Sequence, residues 1–165
     1  MNVSIYSRED IEKLLKENFP NNVAVISFYD PELLQIDDEY APVDYARKTE
    51  RVFTLGLPDI DLDSLEEYDL TYDTYFPEAN DVAQFIYNAV NDGLDIICQC
   101  EYGESRSAGC ASAILEHFDK TGISIFVDYR YYPSKLVYHK VFEALKNYER
   151  KLRWNVINQR RFLYI

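Results

Sequence analysis

Residues 94–115 read LDIICQCEYGESRSAGCASAIL, and the fold turns on how this stretch is understood. It opens as a short apolar run, crosses a polar loop and leaves as a segment rich in Ala, Ile and Leu at helical spacing. Cys100 stands where the run ends, and Arg106 stands where the helix begins. The first amides of a helix have no intrahelical acceptor, and the helix dipole adds positive potential there. Strand, tight loop and helix start therefore make a cradle for a phosphate. The backbone of Glu101, Tyr102, Gly103, Glu104 and Ser105 would line it, and Arg106 would clamp it.

The side chains in this stretch suggest a reaction as well as a binding site. A thiol attacks well only as a thiolate, a form that helix N-termini and nearby cations favour. Arginine's planar fork suits two-point capture of an oxyanion and supplies charge where a phosphoryl transition state develops it. Ser107 follows Arg106 and has a hydroxyl to donate to the sulfur, making it a better leaving group in a second step. Departure of an alkoxide or phenoxide needs a proton from a general acid, which must come from elsewhere in the chain. The Pro58 to Asp63 loop offers Asp59, Asp61 and Asp63, of which at most one is expected to act.

Moving outward, apolar runs and amphipathic stripes alternate. Asn2 to Tyr6, Val23 to Phe28 and Arg51 to Leu57 read as strands. Ser7 caps a helix carrying Ile11, Leu14 and Leu15, with Asp10 three residues after the cap. Glu32 to Lys48 is mixed and acidic, with loop and at most a short helix. Pro77-Glu78 suits a first helical turn ahead of the stripe Val82, Phe85, Ile86, Ala89 and Val90, closed by Asp92-Gly93. Ile123 to Val127 reads as a short extended piece. Ser134 caps a helix bearing Leu136, Val137, Val141, Phe142 and Leu145, and the basic tail with Trp154 reads as a helical extension or a docking surface. The alternation predicts a single α/β domain over residues 1–165, its sheet mostly parallel, flanked by helices and with Ile96-Ile97-Cys98 in a central strand.

Composition narrows the partners. A chain of 165 residues with 47% hydrophobic content can fill one core. The net charge of -12 disfavours nucleic acid and acidic membrane surfaces. From Val52 to Asp119, Arg106 is the only Lys or Arg. Three cysteines, no long apolar run and a polar start point to a cytoplasmic chain without a disulfide framework.

Cys100, Arg106 and Ser107, with Gly103 and Gly109 between and after them, resemble the signature loop of the cysteine-dependent protein tyrosine and dual-specificity phosphatases. The small single-domain dual-specificity type is the nearest in pattern. Leu55 to Asp61 looks like that family's strand and general-acid loop, with Asp61 at the best-matching position, and Tyr132-Pro133-Ser134 is similar to a segment before its last helix. The resemblance implies phosphotyrosine hydrolysis, with phosphoserine and phosphothreonine as further substrates, through a phosphocysteine on Cys100 and without metal or cofactor. The partner implied is a phosphorylated protein or peptide. Two departures stand out. Gln99 replaces the family's histidine before the nucleophile, which implies a weaker enzyme, and Glu104 adds an acid that repels a dianion unless it points outward. A catalytically weak module that binds phosphorylated partners is the competing reading. Redox or metal chemistry through Cys98, Cys100 and Cys110 lacks the ligand spacing of a zinc site, and His117 should face away from the loop's mouth.

Overall fold

Strand β2 (Val23–Tyr29, VAVISFY) is apolar on both faces, and two cores form against it. Ala24, Ile26 and Phe28 join the larger one, while Val23 and Val25 join the smaller. Successive strand side chains point to opposite faces, so a near-continuous apolar run is what a strand covered on both sides requires. Three more strands complete a parallel sheet in the order β1-β4-β2-β3: β1 (Val3–Tyr6), β3 (Val52–Gly56) and β4 (Asp95–Gln99). The computed structural model describes residues 1–162. The strand of the deciding stretch, β4, is central, paired with β1 on one side and β2 on the other.

Helix α1 (Arg8–Lys16) covers the smaller core with the fully buried Ile11. Its cap is the one read from sequence, with the Asp10 amide donating to Ser7 Oγ at 3.1 Å. The opposite face carries α3 (Ala79–Asn91), α4 (Arg106–Asp119) and α6 (Lys135–Phe162), whose apolar stripes meet in the larger core. Burying an Ile or Leu side chain there stabilises the fold by roughly 1.5–3 kcal/mol. The Glu32 to Lys48 stretch contributes one helical turn, α2 (Leu33–Ile36), and the Ser134 hydroxyl accepts from the Val137 amide at the start of α6.

One expected element differs. Ile123 to Val127 is not extended but forms a helical turn, α5 (Ile123–Phe126), closed by the Val127 amide donating to the Ile123 carbonyl. β-branched residues favour strands only where a neighbouring strand can pair with them. Here the segment packs on α4, buries Ile125 in the helical core, and has its entry held by Ser112 Oγ donating to the Gly122 carbonyl at 2.8 Å. The tail after Leu145 continues as helix, with Trp154 exposed. Among the described residues no helix is long and apolar enough to cross a membrane.

Candidate active site

All four strands run the same way, so their carboxyl ends share one edge, where ligands of open parallel sheets bind. The loop from Cys100 to Ser105 leaves β4 at that edge and enters α4 at Arg106. Its carbonyls are held by groups outside the loop. Gln99 Nε2 donates to the Cys100 carbonyl at 2.8 Å, the Arg8 amide to Glu101 at 2.9 Å, and the Tyr132 amide to Glu104 at 3.0 Å. The Ser105 carbonyl accepts from the amides of Gly109 and Ser134. The amides of residues 101–106, by contrast, find no backbone acceptor among the described residues. Carbonyls tied outward and amides left over make an anion nest.

Gly103 makes the curl possible. It sits at φ 72°, and a Cβ there would lie 2.6 Å from the backbone nitrogen of Ser7. Gly109 serves packing instead, because a Cβ there would meet the Ser134 carbonyl at 2.5 Å. The loop is thereby clamped between the start of α1 and the start of α6.

Cys100 is 1% exposed, with its sulfur 3.0 Å from Ser107 Oγ. Arg106, only 2% exposed, is anchored by one terminal nitrogen, which donates to the carbonyls of Leu57 at 2.7 Å and Tyr29 at 3.3 Å. Its Nε is buried without a hydrogen-bond partner, and the nearest carboxylate oxygen, on Asp59, is 3.6 Å away. A buried unpaired guanidinium N–H costs stability unless an acceptor visits it. The side chain is held by its far edge, with this donor available to an oxyanion.

The structure brings Asp59, rather than Asp61, to the loop. Asp59 Oδ1 accepts from Ser105 Oγ at 2.6 Å, and its other oxygen faces Arg106. Asp61 is exposed and starts a 3-10 helix (Leu62–Tyr68) through its carbonyl, which accepts from Ser64. Tyr75, 1% exposed, steadies this segment by donating to the Pro58 carbonyl at 3.1 Å. Burial pushes the Tyr75 phenol well above its ordinary range, so it remains a donor. Asp59, Asp61, Asp63 and Ser105 border a cleft of about 1080 Å³ shared with Tyr129 and Tyr132.

Gln99, also 1% exposed, points to the other face of the sheet, away from the cleft. Its Oε1 accepts from Ser27 Oγ at 2.6 Å and Tyr45 Oη at 3.2 Å, so all its polar atoms are used. Glu101 is turned aside, accepting from Tyr40 Oη at 3.1 Å with Arg8 at 3.7 Å. Glu104 and Tyr102 are both exposed. Cys98 and Cys110 are fully buried core residues, and contact with Cys110 together with burial pushes the Cys98 thiol well up. His117 lies among aromatic rings and shares a 2.7 Å hydrogen bond with Tyr87.

Comparison with solved structures fits this architecture. PTPMT1 in complex with PI(5)P superposes with a TM-score of 0.53 at 14% identity, over 92% of this chain and 94% of that one. The chain has the fold of the cysteine-dependent tyrosine phosphatases. A human tyrosine phosphatase-like serine/threonine/tyrosine-interacting protein shares that phosphatase fold, with a TM-score of 0.54 at 14% identity over 86% of each chain. So does Tk-PTP in its active form, at 0.53 and 13% identity over 89% of this chain and 92% of that one. No family model and no curated protein matches the sequence.

Sequence reasoning offered Asp59 as one of three acids without singling it out, and missed the partners of Gln99. Asp59 lies three residues past the end of β3, and so short a tether keeps it at the sheet's carboxyl edge. Alternation along β4 would have turned Gln99 to the face opposite Cys100.

Proposed function

We propose that this protein hydrolyses phosphomonoesters, with phosphotyrosine in proteins as the leading substrate, through a phosphocysteine intermediate. The observation that carries this reading is Arg106: nearly inaccessible, anchored at one nitrogen, and with an unpartnered buried Nε beside a nest of free amides. Those groups would hold the phosphoryl oxygens. The Cys100 sulfur forms a bond to phosphorus as the bond to the leaving oxygen breaks, and that oxygen takes a proton from the general acid. Asp59 is the better candidate for this acid than Asp61, given its contacts with Ser105 and Arg106. Water then attacks phosphorus, gives a proton to the same carboxylate, and displaces the sulfur. Ser107 Oγ, 3.0 Å from that sulfur, stabilises it as it departs.

The test is hydrolysis of phosphotyrosine and of an aryl phosphate by wild type, Cys100→Ser and Arg106→Lys. Turnover by wild type and its loss in both variants supports the reading. Binding of phosphopeptide with no turnover by wild type replaces it with that of a phosphate-binding module.

A further inference from the structure

The net charge of -12 hides a segregation. Five of the 17 Lys and Arg residues stand between positions 150 and 161, and none of the 29 acids does. The same stretch carries Trp154, the only tryptophan, and forms the far end of α6. We propose that this end of α6 is a docking arm for an anionic lipid surface, in which Trp154 and Ile157 enter the interface while the neighbouring cations meet the headgroups. The proposal goes beyond the phosphatase reading and does not depend on it.

Three observations support the arm. First, the helix outruns the body that it packs on. Val137, Val141 and Leu145 are fully buried in the core shared with α3 and α4, and Tyr148 is half-buried. From Arg150 to Ile157 every residue whose burial is described is exposed. At about 1.5 Å per residue, positions 150–162 extend for roughly 20 Å. That exceeds the Debye length of about 8 Å at physiological salt, so the outer part of the arm is screened from the acids of the body.

Second, the exposed apolar side chains face away from the body. Leu152 ends the stripe of Val141, Leu145 and Tyr148, which the body covers. Trp154 and Ile157, 67% and 58% exposed, fall on the opposite side of the helix by their spacing. A shift of α6 against its own body cannot cover both sides at once, so what buries Trp154 and Ile157 is external.

Third, the charges surround that face. Arg150 shares it, and Lys151 and Arg153 stand at its borders. Arg150 donates to Asn147 and Arg153 to Glu149, both as exposed pairs, and Lys151 has no ion-pair partner among the described residues. Exposed pairs of this kind contribute little and give way to a stronger anionic field.

A lipid interface accepts this face as it stands. The outer side of a lone helix is convex, so a folded partner would have to supply a pocket for Trp154. A nucleic acid would neutralise the cations and leave Ile157 in water. At a bilayer surface, aromatic and aliphatic side chains sit at headgroup level while long cationic ones reach the phosphates. Each Lys or Arg also gains from the negative surface potential. The arm is remote from the Cys100–Ser105 loop, which meets the other end of α6 where the Ser134 amide donates to the Ser105 carbonyl. Arg150 lies roughly 24 Å further along the helix, so docking and phosphate chemistry can be read separately.

Because Trp154 is the only tryptophan, its emission reports the contact directly. The intact chain is titrated with vesicles of phosphatidylcholine alone and with vesicles holding about 30% phosphatidylserine, and binding is measured in parallel by co-sedimentation. The anionic vesicles should shift Trp154 emission to the blue, shield it from acrylamide, and bind at least about tenfold more tightly than neutral ones, the difference shrinking as salt is raised. The double variant Arg150→Glu, Lys151→Glu should bind about tenfold more weakly, and Ile157→Ser about threefold. Both should keep the wild-type urea midpoint and the wild-type rate on a soluble aryl phosphate, because the altered side chains are exposed and far from the loop. Equal binding to neutral vesicles, or undiminished binding by the charge-reversed variant, overturns the proposal. Binding without a change in Trp154 emission also overturns it, since the contact then lies elsewhere. An emission shift produced by concentrating the protein without lipid, or by duplex RNA and not by vesicles, overturns it in favour of a second copy or of nucleic acid.

Discussion

Gln99 Nε2 donates to the carbonyl of Cys100, the residue next to it, at 2.8 Å, and both residues are 1% exposed. The same amide accepts from Ser27 and Tyr45, and burial holds the Tyr45 phenol far above its ordinary range, so it stays a donor. Gln99 therefore fastens the start of the Cys100–Ser105 loop to β2 and to the segment carrying Tyr45. Where the resembling family has a histidine, this chain keeps both a donor and an acceptor.

Replacing Gln99 by Leu leaves the Ser27 hydroxyl, the Tyr45 phenol and the Cys100 carbonyl without that partner. Each unsatisfied buried group costs about 1–3 kcal/mol, so the variant should lose at least about 2 kcal/mol of stability. Urea unfolding checks this. An unchanged midpoint would mean that other groups take over the bonds.

Asp59→Asn should slow hydrolysis of an alkyl phosphate about 100-fold and affect p-nitrophenyl phosphate far less, because a good leaving group needs little help from an acid. Asp61→Asn should behave as wild type. If Asp61→Asn is instead the crippled variant, the acid is Asp61 and the Ser105 contact of Asp59 is structural.

Gly103→Ala puts a side chain at φ 72° and a carbon 2.6 Å from the Ser7 nitrogen. The backbone strain alone costs about 1–3 kcal/mol, and the close contact must move either the loop or the start of α1. The variant should have a lower melting temperature and bind vanadate, a phosphate mimic, more weakly. Normal vanadate affinity would show that the loop can reach its shape without glycine.

His117 should make the fold acid-sensitive. Burial is the main force holding its pKa below the ordinary 6.5, with Lys120 and Lys146 acting in the same direction and Glu149 against them. The Tyr87 phenol is pushed up to about 12, chiefly by burial, and so donates to a neutral ring. As pH falls below 6.5, the unfolded chain takes up a proton that the folded chain refuses, and stability declines until the lower folded value is passed. His117→Gln should flatten the part of the urea midpoint's pH dependence between pH 7 and 5. Parallel curves for the two proteins would place the acid sensitivity in other groups.

The parallel sheet, the helix caps at Ser7 and Ser134, and the central place of Ile96 to Cys98 were legible because each follows from local pattern: alternation, capping chemistry and apolar length. The amide cradle was legible for the same reason, since a strand, a glycine-bearing loop and a helix start are neighbours in the chain. What sequence by itself determined was therefore the layered architecture and the association of Cys100 and Ser107 with a loop of free amides at a helix start. Tertiary structure alone decided which acid meets Arg106, whose carbonyls anchor that arginine, and that Ile123 to Phe126 closes into a helical turn. The physical reason is the same in each case. Asp59 and Asp61 lie on an irregular segment with no period to read, Leu57 and Tyr29 reach Arg106 only once β2 and β3 pair, and Ile125 takes its conformation from the helices that bury it.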